Sequence, residues 1–84
     1  MLRKGMIWMP MDKKDQLAEL ISNAETSFYN GQLQEAFSLS LSAIKLDENC
    51  ADAYQCAANV CMSLSRYEDA IEYYQKVQIY IMLL

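Results

Sequence analysis

Histidine is missing from this 84-residue chain, proline occurs once and glycine only twice. Without an imidazole there is no ready general base and no usual partner for thiolates in a zinc site. With Gly5, Pro10 and Gly31 as the whole stock of turn punctuators, a turn-rich all-β fold is disfavoured. A surplus of basic residues is also lacking. The net charge is −4, whereas nucleic-acid phosphates reward a basic face, so no nucleic-acid partner is expected. No run approaches the roughly 18–20 apolar residues that span a bilayer, so no membrane segment is expected. The opening "MLRKGMIWMP" has Arg3 and Lys4 before an apolar patch, but Met6–Met9 is far shorter than a signal core and Pro10 ends it. Residues 1–11 are read as a flexible arm, with Met11 as an alternative start.

Cysteine is scarce and odd in number. Cys50, Cys56 and Cys61 make no paired framework, which suits a reducing, cytoplasmic setting. Their C-x5-C-x4-C spacing fits no zinc pattern. On one helix, Cys56 and Cys61 point about 140° apart. They are read as small buried hydrophobes. No metal and no cofactor are expected. Nucleophilic catalysis would lack its base, so the chain is not expected to be an enzyme. The acid pairs Asp47/Glu48 and Glu68/Asp69 fall at helix ends, where capping accounts for them.

Apolar residues make up 54% of the chain, ample for a packed domain. From Asp12 onward they follow helical spacing in four stripes. The first runs through Leu17, Leu20, Ile21, Ala24 and Phe28. The second runs through Leu33, Ala36, Phe37, Ser40, Ala43 and Ile44. The third carries Tyr54, Ala57, Ala58 and Cys61. The fourth carries Tyr67, Ala70, Ile71, Tyr74, Val77 and Ile81. Four helices are predicted, near Lys13–Tyr29, Leu33–Leu46, Ala51–Leu64 and Tyr67–Met82. Asn49 and Ser65, each three residues before an acid, are read as N-caps of the last two. "FSLSLS" alternates like a strand, but the apolar face continues as a helix on both sides of it.

An offset of 34 residues aligns the two halves without a gap. Leu20 meets Tyr54, Ala24 meets Ala58, Leu33 meets Tyr67, and Ala36-Phe37 meets Ala70-Ile71. Thirty-four residues is the tetratricopeptide period. "SRYEDAIEYYQKV" (Ser65–Val77) closely resembles the second helix of that repeat, and "NGQLQEAFSLSLSAIKLDEN" (Asn30–Asn49) resembles the end of a first one. The resemblance implies an all-α fold of two stacked antiparallel helix–turn–helix hairpins over 12–84, with repeats at about 17–50 and 51–84. Ala24, Ala36, Ala58 and Ala70 would then sit at close helix crossings. Leu20, Leu33, Tyr54, Tyr67 and Tyr74 would fill the space between helices. Departures are Ser40 for the usual aromatic, Glu48 for the turn proline, and "QIYIMLL" in place of the second repeat's turn. A generic four-helix bundle is the alternative architecture.

The resemblance also implies a function, binding of a protein or peptide partner along a concave face formed by the first helix of each repeat. Carried over position by position, that face is Ala18, Ile21, Glu25 and Phe28, then Asp52, Gln55, Asn59 and Met62. Ile21, Phe28 and Met62 serve equally well as core. The subclass that grips a peptide carboxylate would need basic and amide groups at Ile21, Glu25 and Cys56. Those residues cannot do it, and Glu25 would repel a carboxylate. The expected roles are therefore a small adaptor or chaperone-like cofactor or, alternatively, an assembly piece of a longer repeat array. The closing run offers Tyr73, Val77, Tyr80, Ile81 and Leu84 as a self-association surface, and a homodimer is expected from it.

Overall fold

The computed structural model describes residues 12–83. The N-terminal arm and Leu84 lie outside the described residues. Four α-helices follow one another: α1 (Lys13–Tyr29), α2 (Leu33–Leu46), α3 (Ala51–Ser63) and α4 (Tyr67–Met82). Asp12 starts α1, its Oδ1 accepting from the Asp15 backbone N–H at 2.9 Å. The alternating "FSLSLS" is helical. Its buried Ser40 hydroxyl donates to the Ala36 carbonyl at 2.8 Å, so a polar atom enters the core without losing a partner.

The 34-residue period is visible in backbone hydrogen bonds. After α1, the N–H of Gln32 reaches the Ser27 carbonyl at 2.8 Å, and that of Gly31 reaches Phe28 at 3.1 Å. After α3, Arg66 reaches Cys61 at 2.8 Å and Ser65 reaches Met62 at 3.1 Å. Both are Schellman closures, which need a left-handed residue just past the helix. Gly31 takes that role with φ +81°, and Ser65 takes it with φ +62°.

The capping roles expected of Asn49 and Ser65 need correction. Cys50 and Arg66 are the cap residues of α3 and α4, and neither helix has a side-chain cap bond. Asn49 instead uses its N–H on Asp47 Oδ1 at 3.0 Å, tightening the inter-repeat turn. Ser65 closes α3 rather than opening α4. Arg66 starts α4 with an ion pair to Asp69 at 3.1 Å, and its guanidinium carbon lies 5.1 Å from the centre of the Phe37 ring.

Packing order separates stacked hairpins from a closed bundle. Helix α1 packs on α2 and α3 on α4, while α3 also rests on both α1 and α2. Among the described residues α1 and α4 do not meet, as they would in a closed bundle. Small residues permit this. Ala24, Ala36, Ala43, Ala53, Ala57, Ala58 and Ala70 are all at most 1% exposed. Large residues join the layers. Tyr54 stacks on Tyr80 at 5.4 Å and lies 6.3 Å from Tyr73, whose ring meets Phe37 edge-on at 6.5 Å. Such pairs add about 0.5–1.5 kcal/mol each beyond area burial. The Tyr54 hydroxyl donates to the Glu48 carbonyl at 2.7 Å, fixing the turn between repeats. Tyr67, expected between helices, is instead more than half exposed, because no further helix among the described residues stacks over that side of α4.

Candidate functional site

Helices α1 and α3 lie side by side, and a pocket of about 60 Å³ opens between them. Phe28 and Tyr29 form its aromatic side, their rings edge-to-face at 5.6 Å. Ala24 and Val60 form the floor, both 1% exposed. Glu25, Gln55, Cys56 and Asn59 complete the lining. Four residues expected from sequence on a concave face, Glu25, Phe28, Gln55 and Asn59, therefore converge on one pocket.

The others go elsewhere. Ile21 is half-buried on α1, and Met62 is 47% exposed near the end of α3; neither lines the pocket. Asp52 lines a separate trough with Cys50, Ala51, Gln55, Val77 and Ile81, between α3 and α4. Ala18 is exposed.

Asn59 is held in a defined orientation. Its Oδ1 accepts from the Tyr74 hydroxyl at 2.7 Å and from Gln55 Nε2 at 3.4 Å. The amide hydrogens of Asn59 and the carbonyl of Gln55 are left to serve an incoming backbone. Tyr74 is absent from the sequence-based site because it belongs to the second helix of its repeat. Ser40 stands 34 residues before it and bonds only within its own helix, so the repeat carries no signal for this bond. Tyr29 is missed because it is the last residue of α1, at the edge of its stripe.

The electrostatics are one-sided. Burial pushes the Cys56 thiol up to about 11, and the carboxylates of Glu25 and Asp52 add to the rise. At neutral pH this thiol is protonated and unreactive. Of the two acids only Glu25 lines this pocket; Asp52 lies in the neighbouring trough. Burial also raises Cys61, which has no exposed surface. No group of three or more metal-ligating side chains occurs among the described residues. Nor is any helix there long and apolar enough to cross a membrane.

The surface expected to self-associate is divided by the fold. Tyr73 and Tyr80 turn inward onto Tyr54, and Val77 is only 7% exposed. Ile81 is 54% exposed, and Leu84 lies outside the described residues.

The family model for anaphase-promoting complex (cyclosome) subunit 3 matches residues 9–77, well over half of the chain. The chain belongs to this family. No curated protein and no solved structure gives a match. The subunit 3 family is of tetratricopeptide type, which agrees with the stacked hairpins and the 34-residue period. Repeats of the subunit 3 type are protein-interaction modules, typically scaffolds rather than catalysts.

Proposed function

We propose that the chain is a small adaptor that receives an extended peptide or an amphipathic helix of a partner protein on the face shared by α1 and α3. The observation that supports this most is the set Glu25, Phe28, Gln55 and Asn59 around one pocket, with Asn59 oriented in advance by Tyr74. Orienting an amide before binding removes part of the entropy cost of association. The Phe28 and Tyr29 rings supply apolar area for a side chain, and the amide pair suits a backbone carbonyl and N–H. Glu25 and Asp52 disfavour an acidic segment. Free thiols at Cys50, Cys56 and Cys61 suit a cytoplasmic setting.

The test is selection of binding peptides from a random library, followed by mapping of bound peptide through amide chemical shifts. Shifts concentrated on α1 and α3 are expected. Phe28→Asp and Asn59→Ala should weaken binding while helical content is retained. Tyr74→Phe should weaken it less, because the Asn59 amide is released but not removed. Selected peptides that bind these variants as tightly as the unaltered chain would remove the pocket from the mechanism.

A further inference from the structure

Charge is divided unevenly along this chain. Residues 1–11 hold Arg3 and Lys4 and no acid, whereas 12–84 hold five bases against eleven acids. Helices α1 and α3 lie at the acidic extreme. From Asp15 to the end of α1, and throughout α3, the charged residues are Asp15, Glu19, Glu25 and Asp52, with no base. Glu25 lines the pocket and Asp52 the adjoining trough, with Gln55 common to both. The one ion pair among the described residues joins Arg66 to Asp69, so neither Glu25 nor Asp52 has a cation there. The same face is partly apolar. Ile21 and Phe28 are half-buried, and Tyr29 and Met62 are exposed.

A segment suited to that face is joined to it. The arm enters at Asp12, the cap of α1, and carries both of its cations beside the apolar Met6, Ile7, Trp8 and Met9. Its length also fits. Glu25 lies thirteen residues past the cap, about 20 Å along the helix axis. Lys4 lies eight residues before the cap, about 26 Å of extended chain, which leaves about 6 Å for the reversal of direction. Trp8 is four residues before the cap, about 13 Å, enough to bring its ring level with Ala18 and Ile21. A tether this short holds the segment near the face at roughly millimolar effective concentration.

We propose that the chain's own N-terminal arm occupies the face of α1 and α3, running antiparallel to α1, with Trp8 over Ala18 and Ile21 and with Arg3 and Lys4 beside Glu25. The cations meet the acid that lacks one, and the indole covers apolar surface that is otherwise wet. The arm is then an internal competitor. A partner must displace it, and the segment that does so has the same chemistry, a cation next to large apolar side chains. The proposal rests on the reading of this face as the partner-binding face for its location alone. A peptide can bind there with the arm free, and the arm can be seated with no peptide present.

Trp8 is the chain's only tryptophan, so its fluorescence reports the arm directly. The experiment measures emission wavelength and acrylamide quenching on the full chain without added peptide, with circular dichroism to monitor folding. The unaltered chain should emit at shorter wavelength, and be quenched less, than the same chain in urea. Arg3→Glu with Lys4→Glu, and separately Glu25→Lys, should shift the emission to longer wavelength and expose Trp8 to quencher, with helical content intact because Glu25 is exposed. Combining all three substitutions should return the short-wavelength, protected signal, since the opposite charges again meet. Ile21→Asp should expose Trp8 whatever the charges. Emission from the unaltered chain that matches the urea-unfolded chain would overturn the proposal, as would single-sided variants that keep Trp8 protected. Failure of the combined variant to recover would overturn the pairing with Glu25. Protection that disappears on dilution would place the arm on another copy's face and overturn the intramolecular contact.

Discussion

The two Schellman closures make an internal control, because one uses glycine and the other serine for the same left-handed backbone. A side chain in that region costs roughly 1–2 kcal/mol. Ser65 holds φ +62° and its hydroxyl gains little, since the contact from the Tyr67 hydroxyl is 3.5 Å long and exposed. Ser65→Gly removes the strain but gives the unfolded chain more freedom, a loss of about 0.4–1 kcal/mol. The net should be a stabilisation of about 0.5–1 kcal/mol. Gly31→Ser is the reverse change at φ +81°. A Cβ there meets nothing within 4 Å, so strain alone acts, and a similar loss is expected. The double variant should lie near the unaltered chain, because separate turns contribute additively. Urea denaturation reads this as opposite shifts of midpoint at constant slope. For a domain of this size the Tm shifts are about 2–8 °C. If Ser65→Gly failed to stabilise, or Gly31→Ser cost nothing, backbone strain would not govern these turns.

Ala36→Leu and Ala70→Leu should each destabilise by about 1–3 kcal/mol in the same denaturation assay, because both alanines are fully buried at helix crossings. Unchanged midpoints would show that the helices have room. Tyr54→Phe should cost about 1–2 kcal/mol by leaving the Glu48 carbonyl without its 2.7 Å donor while keeping the ring stack; equal midpoints would mean that water replaces the hydroxyl. The folded state favours the neutral Cys56 thiol, so its stabilising share is complete below pH 9 and is lost as pH rises towards about 11. The loss is about 2–3 kcal/mol at most, read as a steeper alkaline fall in urea midpoint than for Cys56→Ala; parallel curves would refute it.

Much of the fold is legible in the sequence because small residues recur where helices cross. Ala24, Ala36, Ala58 and Ala70 are closely packed, as their 34-residue spacing implies, and the helix ends fall where the stripes stop. The turn at 63–66 is less legible. Serine three residues before an acid is an N-cap signal, but Ser65 serves the preceding helix, and its left-handed conformation is not one serine favours. The site is half legible. Helical spacing puts Glu25, Phe28, Gln55 and Asn59 on matching faces. It says nothing of Tyr74, whose bond to Asn59 crosses between helices, nor of the trough between α3 and α4 that Asp52 lines instead.

The last helix shows why periodicity runs out. Sequence periodicity favours Tyr67, Ile71, Tyr74 and Ile81 as the inward stripe and leaves Tyr73 and Tyr80 outward, but both sets are apolar and spaced by threes and fours, and the structure reverses the choice. Tyr54 decides between them. Buried to 7% and tied to the inter-repeat turn through Glu48, it offers its ring to Tyr73 and Tyr80. Rotating α4 by roughly 80–100°, enough to turn Ile71 and Ile81 inward, would break both ring contacts, and it would carry Ala70 away from a crossing where only a small residue fits. One long-range partner thus fixes the rotation of the whole helix. The exposure of Tyr67, Ile71 and Ile81 follows from that choice and not from any local weakness in their helical pattern.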